Sequence, residues 1–127
     1  MILGIGIDLV ETTRIEKILK KHYFRFLNRV FTPEERIWLT SFRSPVQRVA
    51  ALFAAKEACS KALGTGLRGV SWQEMEIFHE SSGKPGLKLH GKALKRFQEL
   101  GGQKIHLSLS HERQYATAIV IIEGEAP

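Results

Sequence analysis

Phe53-Ala-Ala-Lys-Glu-Ala-Cys-Ser-Lys-Ala-Leu-Gly-Thr-Gly66 is an alanine-rich run that carries charge where a buried helix should carry none. The small side chains at Ala50, Ala51, Ala54, Ala55, Ala58 and Ala62 favour helix and let neighbouring backbone come close. On a 3.6-residue period, Phe53, Glu57, Ser60, Lys61 and Gly64 share one face, so a carboxylate, a hydroxyl and an ammonium align along it. Gly64 and Gly66 supply the stop, since glycine takes the left-handed cap conformation freely. Taken alone, Glu57 and Lys61 read as a surface pair contributing a few tenths of a kcal/mol. Two features argue otherwise: the helix around them is apolar, and a second carboxylate waits at Asp8. A buried charge is costly unless paired or bound to a metal, so this helix reads as one wall of a site.

Upstream, residues 1–10 read as a strand with Ile5 and Ile7 on one face and Gly4, Gly6 and Asp8 on the other. The two glycines leave room either for a ligand to approach Asp8 or for a helix to pack tightly on the strand. Thr13 to Glu16 has the capping-box form that opens a helix. Ile15, Ile18, Leu19 and Phe26 give that helix its apolar stripe, and Arg14, Lys17, Lys21 and Arg25 fall on the opposite side. Thr32-Pro-Glu-Glu35 starts a second helix running to about Thr40, with Ile37 and Trp38 or Leu39 buried. Ser44-Pro45 then caps the long central helix, expected from Pro45 to about Leu63 and roughly 28 Å long.

Downstream, residues 74–80 and 87–90 flank the turn-rich Ser-Ser-Gly-Lys-Pro-Gly segment and predict a hairpin. A short helix follows Gly91, with Ala93, Leu94, Phe97 and Leu100 on one side. In residues 105–110, Ile105, Leu107 and Leu109 point inward while His106, Ser108 and Ser110 take the other face; residues 115–122 return as a buried strand. The expected class is α+β, a single domain over residues 1–127 with an antiparallel sheet packed against the long helix.

The chain has 127 residues, a net charge of +6 and one cysteine, Cys59. The charge points to an anionic partner or substrate. No basic leader and apolar core precede the first strand, and no apolar run is long enough to cross a bilayer. With no internal disulfide available, a cytoplasmic setting is expected, and Cys59 reads as a packing residue. A nucleic-acid-binding module would account for the charge, but the aromatics are not interleaved with the basic residues as a stacking platform requires. A purely structural subunit would leave Asp8 and Glu57 unexplained.

Three segments stand out: Gly4-Ile-Gly-Ile-Asp-Leu-Val-Glu11, the run from Phe53 to Gly66, and Leu107-Ser-Leu-Ser-His-Glu-Arg-Gln-Tyr-Ala116. In this order and spacing, with Gly83-Lys-Pro85 between them, the chain closely resembles the holo-acyl-carrier-protein synthases, short bacterial 4′-phosphopantetheinyl transferases. The resemblance implies transfer of 4′-phosphopantetheine from coenzyme A to a serine of an apo-acyl carrier protein in fatty acid biosynthesis, leaving adenosine 3′,5′-bisphosphate. It also implies Mg²⁺ held by Asp8 and Glu57, and a homotrimer with active sites at subunit interfaces. Magnesium suits that pair, since it often takes one or two carboxylates and completes its shell with phosphate and water. Lys61 is expected to stabilise the leaving group, and Glu57 to take the serine proton through a water, with Lys61 as the competing acceptor. Ser60, Lys61, Gly64, Gly66, Pro85, Ser110 and His111 match positions near coenzyme A. The basic side chains of Arg14, Lys17, Lys21 and Arg25 match the face presented to the acidic carrier protein. Relatives usually carry arginine where this chain has Leu52, and Arg48, one turn earlier, is expected to reach the same region.

Overall fold

A computed structural model describes residues 1–127. Strand β1 (Ile2–Glu11) runs directly into helix α1 (Thr12–Val30), followed by α2 (Pro33–Thr40) and the long α3 (Val46–Leu63). After two short 3₁₀ turns come β2 (Met75–His79), β3 (Pro85–Leu89), α4 (Gly91–Glu99), β4 (Gly102–His111) and β5 (Tyr115–Gly124). The strands form two antiparallel sheets rather than one: β1-β5-β4, and a separate β2-β3 hairpin. No helix is long and apolar enough to cross a membrane.

Helix α3 is buried on nearly every side, with Val49 to Lys56, Ala58 to Ser60, Ala62 and Leu63 all inaccessible. One side lies on β1, and the glycines of β1 make that possible. A Cβ at Gly6 would overlap the Ala58 carbonyl oxygen, and one at Gly4 the Ala62 carbonyl oxygen. The room the glycines leave is therefore filled by helix backbone, not by a ligand. Gly6→Ala is expected to destabilise the protein by about 1–3 kcal/mol, as overpacking against rigid backbone does. Chemical denaturation checks this, and an unchanged midpoint would contradict the packing.

The helix-on-sheet contact sorts β1 by parity. Asp8 and Val10 share the helix side with the glycines, while Ile5, Ile7 and Leu9 are 60–64% exposed on the outer face. Ile5 lies opposite Ile121 and Ile7 opposite Ile119, so one chain leaves an apolar sheet face uncovered. In β4, Ile105, Leu107 and Leu109 are half-buried and alternate with exposed His106, Ser108 and Ser110, as the pattern predicts.

Several local expectations need correction. Thr13 does not cap α1: the helix begins at Thr12, with Glu11 at the cap position and no side-chain cap bond. Its first turn is instead tied to the β4–β5 connection, Thr12 N–H donating to the Gln114 carbonyl and Thr12 Oγ1 to the Arg113 carbonyl. Helix α1 is also kinked at His22, so Arg25 lies beyond a break from Arg14, Lys17 and Lys21. Ile37 is 71% exposed, leaving Leu39 as the buried apolar residue of α2 and Trp38 half-buried. Leu94 likewise points outward, and Ala93 carries the buried face of α4.

A buried ion pair locks the elements around α3. Lys56 Nζ donates to Glu35 Oε1 at 2.9 Å and to the carbonyls of Trp72 and Met75 at 2.9 and 2.8 Å. Glu35 also accepts from the backbone N–H of Thr32, in the capping box expected for α2, and from that of Ile77 in β2. Both side chains are completely buried, and burial lowers the Lys56 pKa against the opposing pull of Glu35. Every donor of the ammonium is satisfied, as a buried charge requires.

Candidate active site

The end of β1 and the C-terminal half of α3 meet where the sequence reading placed them. Lys61 Nζ donates to Asp8 Oδ1 at 3.2 Å and to the Ile7 carbonyl at 2.9 Å. The Asp8 side chain is 17% exposed and that of Lys61 51%, so the acid is largely sheltered while the ammonium reaches it from the surface. Glu57, one turn before Lys61, has its pKa raised by partial burial and then by the Asp8 charge, with Lys61 and Arg14 pulling the other way. Asp8, Glu57 and Lys61 thus form one electrostatic cluster. Arg14 adjoins it, with its guanidinium 5.8 Å from the centre of the Phe53 ring, while Lys17, Lys21 and Arg25 are exposed further along α1.

The donor set fits a small hard cation. Two carboxylates lie close enough to feel each other's charge, and no third histidine, cysteine or acid joins them. The ammonium of Lys61 already supplies Asp8 with positive charge. An ion here would need to complete its shell from outside the protein, a pattern magnesium tolerates well.

The remaining candidate residues divide. Ser60 is buried, and its hydroxyl donates back to the Glu57 carbonyl at 2.7 Å. Gly64 closes α3 in the left-handed conformation (φ +76°), as read from the sequence, and Gly66 also has positive φ (+58°). Pro85 and His111 lie elsewhere, lining a cavity of about 640 Å³ with Arg48, Leu52, Lys84 and Trp38. Ser110 is exposed on the opposite parity of β4 from His111 and is not part of that lining, so these adjacent residues are separated. Arg48 and Glu57 are two and a half turns apart and lie on opposite sides of α3. The Asp8 cluster and the His111 cavity are therefore on different faces of a single chain.

Sequence reasoning missed part of the cavity wall. The His79 ring stacks on Trp38 at 3.8 Å between centroids, and the Arg48 guanidinium lies 3.8 Å from the centre of the Phe42 ring. Burial lowers the His79 pKa, favouring the neutral ring. Trp38, Phe42 and His79 come from α2, its exit and β2, and no periodicity links them. Arg48 and Leu52 do share the cavity, as expected from their one-turn spacing. Cys59 is fully buried with its thiol pushed up to about 12 by burial, which fits packing and not nucleophilic chemistry.

The sequence signature described as the 4′-phosphopantetheinyl transferase superfamily matches residues 4–120. The chain is a transferase of that class. It is 50% identical over 124 residues to the holo-[acyl-carrier-protein] synthase of Koribacter versatilis, covering 97% of this chain and 99% of the relative. It is also 50% identical over 125 residues to that of Solidesulfovibrio magneticus, covering 98% and 100%. Among solved structures, the Neisseria meningitidis synthase superposes with a TM-score of 0.89 at 40% identity, over 97% of this chain and 99% of that one. The Bacillus anthracis synthase, solved in complex with coenzyme A (3′,5′-ADP), gives 0.82 at 38% identity over 98% and 99%. Within the superfamily, the chain belongs to the holo-[acyl-carrier-protein] synthase family.

Proposed function

We propose that the protein transfers 4′-phosphopantetheine from coenzyme A to a serine of an apo-acyl carrier protein, releasing adenosine 3′,5′-bisphosphate. The observation that carries this reading is the meeting of Asp8 and Glu57 beside Lys61, from segments far apart in sequence, in a chain of this family. Asp8 and Glu57 would hold Mg²⁺, which when bound supplies charge to offset that on the coenzyme A diphosphate. Lys61 is placed to stabilise the same charge as the bridge breaks. It is already committed to Asp8 and the Ile7 carbonyl, which favours Glu57, acting through a water, over Lys61 as acceptor of the serine proton. The nucleophile belongs to the partner, which accounts for a site without its own nucleophilic triad.

Ser60, Gly64 and Gly66 belong to the coenzyme A side of the first cluster in this reading; Pro85 and His111 belong to the second, with Ser110 next to it on the other face of β4. A homotrimer with interfacial sites unites them: the apolar outer face of β1 and β5 is covered, and one copy's Asp8 cluster faces a neighbour's His111 cavity. Cyclic association of this kind is an ordinary route to a shared site. Mixing Asp8→Asn and His111→Ala chains by co-refolding tests the whole arrangement, with adenosine 3′,5′-bisphosphate release in the presence of carrier protein and Mg²⁺ as the readout. Recovered activity in the mixture, absent from either variant alone, is expected. A mixture as inactive as its components, at a mass showing mixed oligomers, would contradict shared sites.

Arg14, Lys17, Lys21 and Arg25 form the docking face for the acidic carrier. Arg14→Ala is expected to raise the carrier-protein KM severalfold, most at low salt, and to leave coenzyme A affinity unchanged. Steady-state kinetics against both substrates checks this, and an unchanged carrier KM would remove Arg14 from the docking face. The fold, the lone buried cysteine and the substrates suit a cytoplasmic enzyme of fatty acid biosynthesis.

A further inference from the structure

At the C-terminal corner of α3, Gly64 and Gly66 flank Thr65, and a cation lies over the first glycine. At Gly64, an added Cβ would meet only Arg96 Nη2, at 3.6 Å, and at Gly66 it would meet nothing within 4 Å. Arg96 arrives from α4, and its Nε donates to the Leu63 carbonyl at 2.9 Å. That bond fixes the plane of the guanidinium and leaves its outer nitrogens as donors. The ion pairs of the chain are Lys20–Glu16, Lys56–Glu35, Lys61–Asp8, His90–Glu76 and His106–Glu123; Arg96 has no acidic partner. A half-buried, oriented and unpaired guanidinium beside Gly64, with the Thr65 side chain turned to Gly66 and Gly69, has the geometry of an anion site. Lys61 precedes Gly64 by three residues on the same face of α3, with its ammonium turned back to Asp8 and the Ile7 carbonyl, so Arg96 is the cation at the corner itself.

We propose that Arg96 is a phosphate-binding residue of this site, gripping a phosphate of coenzyme A across Gly64 alongside Lys61. The proposal rests on the coenzyme A reading above and deepens it. Lys61 acts as a point charge already shared with Asp8, whereas Arg96 offers a planar fork that matches two phosphate oxygens. The absence of side chains at positions 64 and 66 lets that phosphate approach the backbone closely. The competing role is a helix cap alone, in which the Arg96 charge merely complements the carbonyl end of α3.

The test measures coenzyme A affinity by calorimetry, the KM for each substrate, and Tm for the full chain and its Arg96→Gln and Arg96→Lys variants. Loss of the fork is expected to raise the coenzyme A Kd and KM about tenfold in Arg96→Gln, the size of one charge-assisted hydrogen bond, without raising the carrier KM. Arg96→Lys keeps the charge and is expected to recover part of that loss. Repeating the binding with dephospho-coenzyme A locates the contact: an equal loss with both ligands assigns the diphosphate, and a loss confined to coenzyme A assigns the 3′-phosphate. A lower Tm with unchanged affinity for both ligands in both variants would make Arg96 a cap only and overturn the proposal. Failure of the parent protein to bind coenzyme A would instead overturn the functional reading on which it rests.

Discussion

Glu57→Gln is expected to lower turnover about a hundred- to a thousandfold, the loss seen when a charged stabilising group is removed from a reacting centre. The fold should survive the change. Glu57 has its pKa raised above the ordinary carboxylate value of 4.5, by burial first and the Asp8 charge second. A group raised in this way contributes stability below its unfolded pKa and loses it as the pH rises through the folded value. At neutral pH and without metal, ionised Glu57 therefore burdens the folded state, and glutamine relieves that burden. The expected signature is a collapse of kcat with Tm unchanged or slightly higher. In the parent, the Glu57 contribution should decline as pH rises from about 4.5, and this component should be missing from the variant. A Glu57→Gln enzyme of near-parent activity would remove the residue from both metal binding and proton transfer. A large fall in Tm would mean that Glu57 is held for structure instead.

Lys56→Met is expected to be the most destabilising single change, costing about 3–5 kcal/mol, because removing one partner of a buried pair strands the other charge. Glu35 would keep its bonds from the backbone N–H groups of Thr32 and Ile77, but lose the only cation facing it. The carbonyls of Trp72 and Met75 would lose the ammonium donor as well, that of Trp72 keeping only the Met75 N–H. A double change to Lys56→Met with Glu35→Leu should recover only part of the loss, since Glu35 also closes the α2 capping box and holds β2. Urea denaturation of the single and double variants measures both effects. A single variant within about 1 kcal/mol of the parent would show that the pair contributes little beyond what a packed methionine supplies.

The contrast between Lys56 and Lys61 shows where sequence was informative. Both are lysines in one alanine-rich helix, five residues apart, yet one is completely buried and the other half-exposed. The face carrying Glu57, Lys61 and Gly64 was legible from helical period alone, and Asp8 from its place beside two glycines. Lys56 was not legible, because its partner Glu35 sits on another helix and its carbonyl acceptors come from a distant segment. The glycines of β1 left two readings open, and only the position of α3 decides between them. Thr13 failed as a cap for a related reason: the residues that fix the start of α1, Arg113 and Gln114, lie at the far end of the chain. Ile37 and Leu94 turned outward because short helices offer too few turns to fix which apolar residue faces the core. The division of site residues between two faces, and the presence of Arg96 at Gly64, depend on packing that no local pattern encodes.

The most direct measurement is intact-mass spectrometry of an apo-acyl carrier protein incubated with this enzyme, coenzyme A and Mg²⁺. The account predicts that the carrier gains one phosphopantetheine group on a serine, and that Asp8→Asn and Glu57→Gln prevent the gain. A carrier of unchanged mass, with the enzyme folded and the carrier modified normally by a relative of known activity, would contradict it.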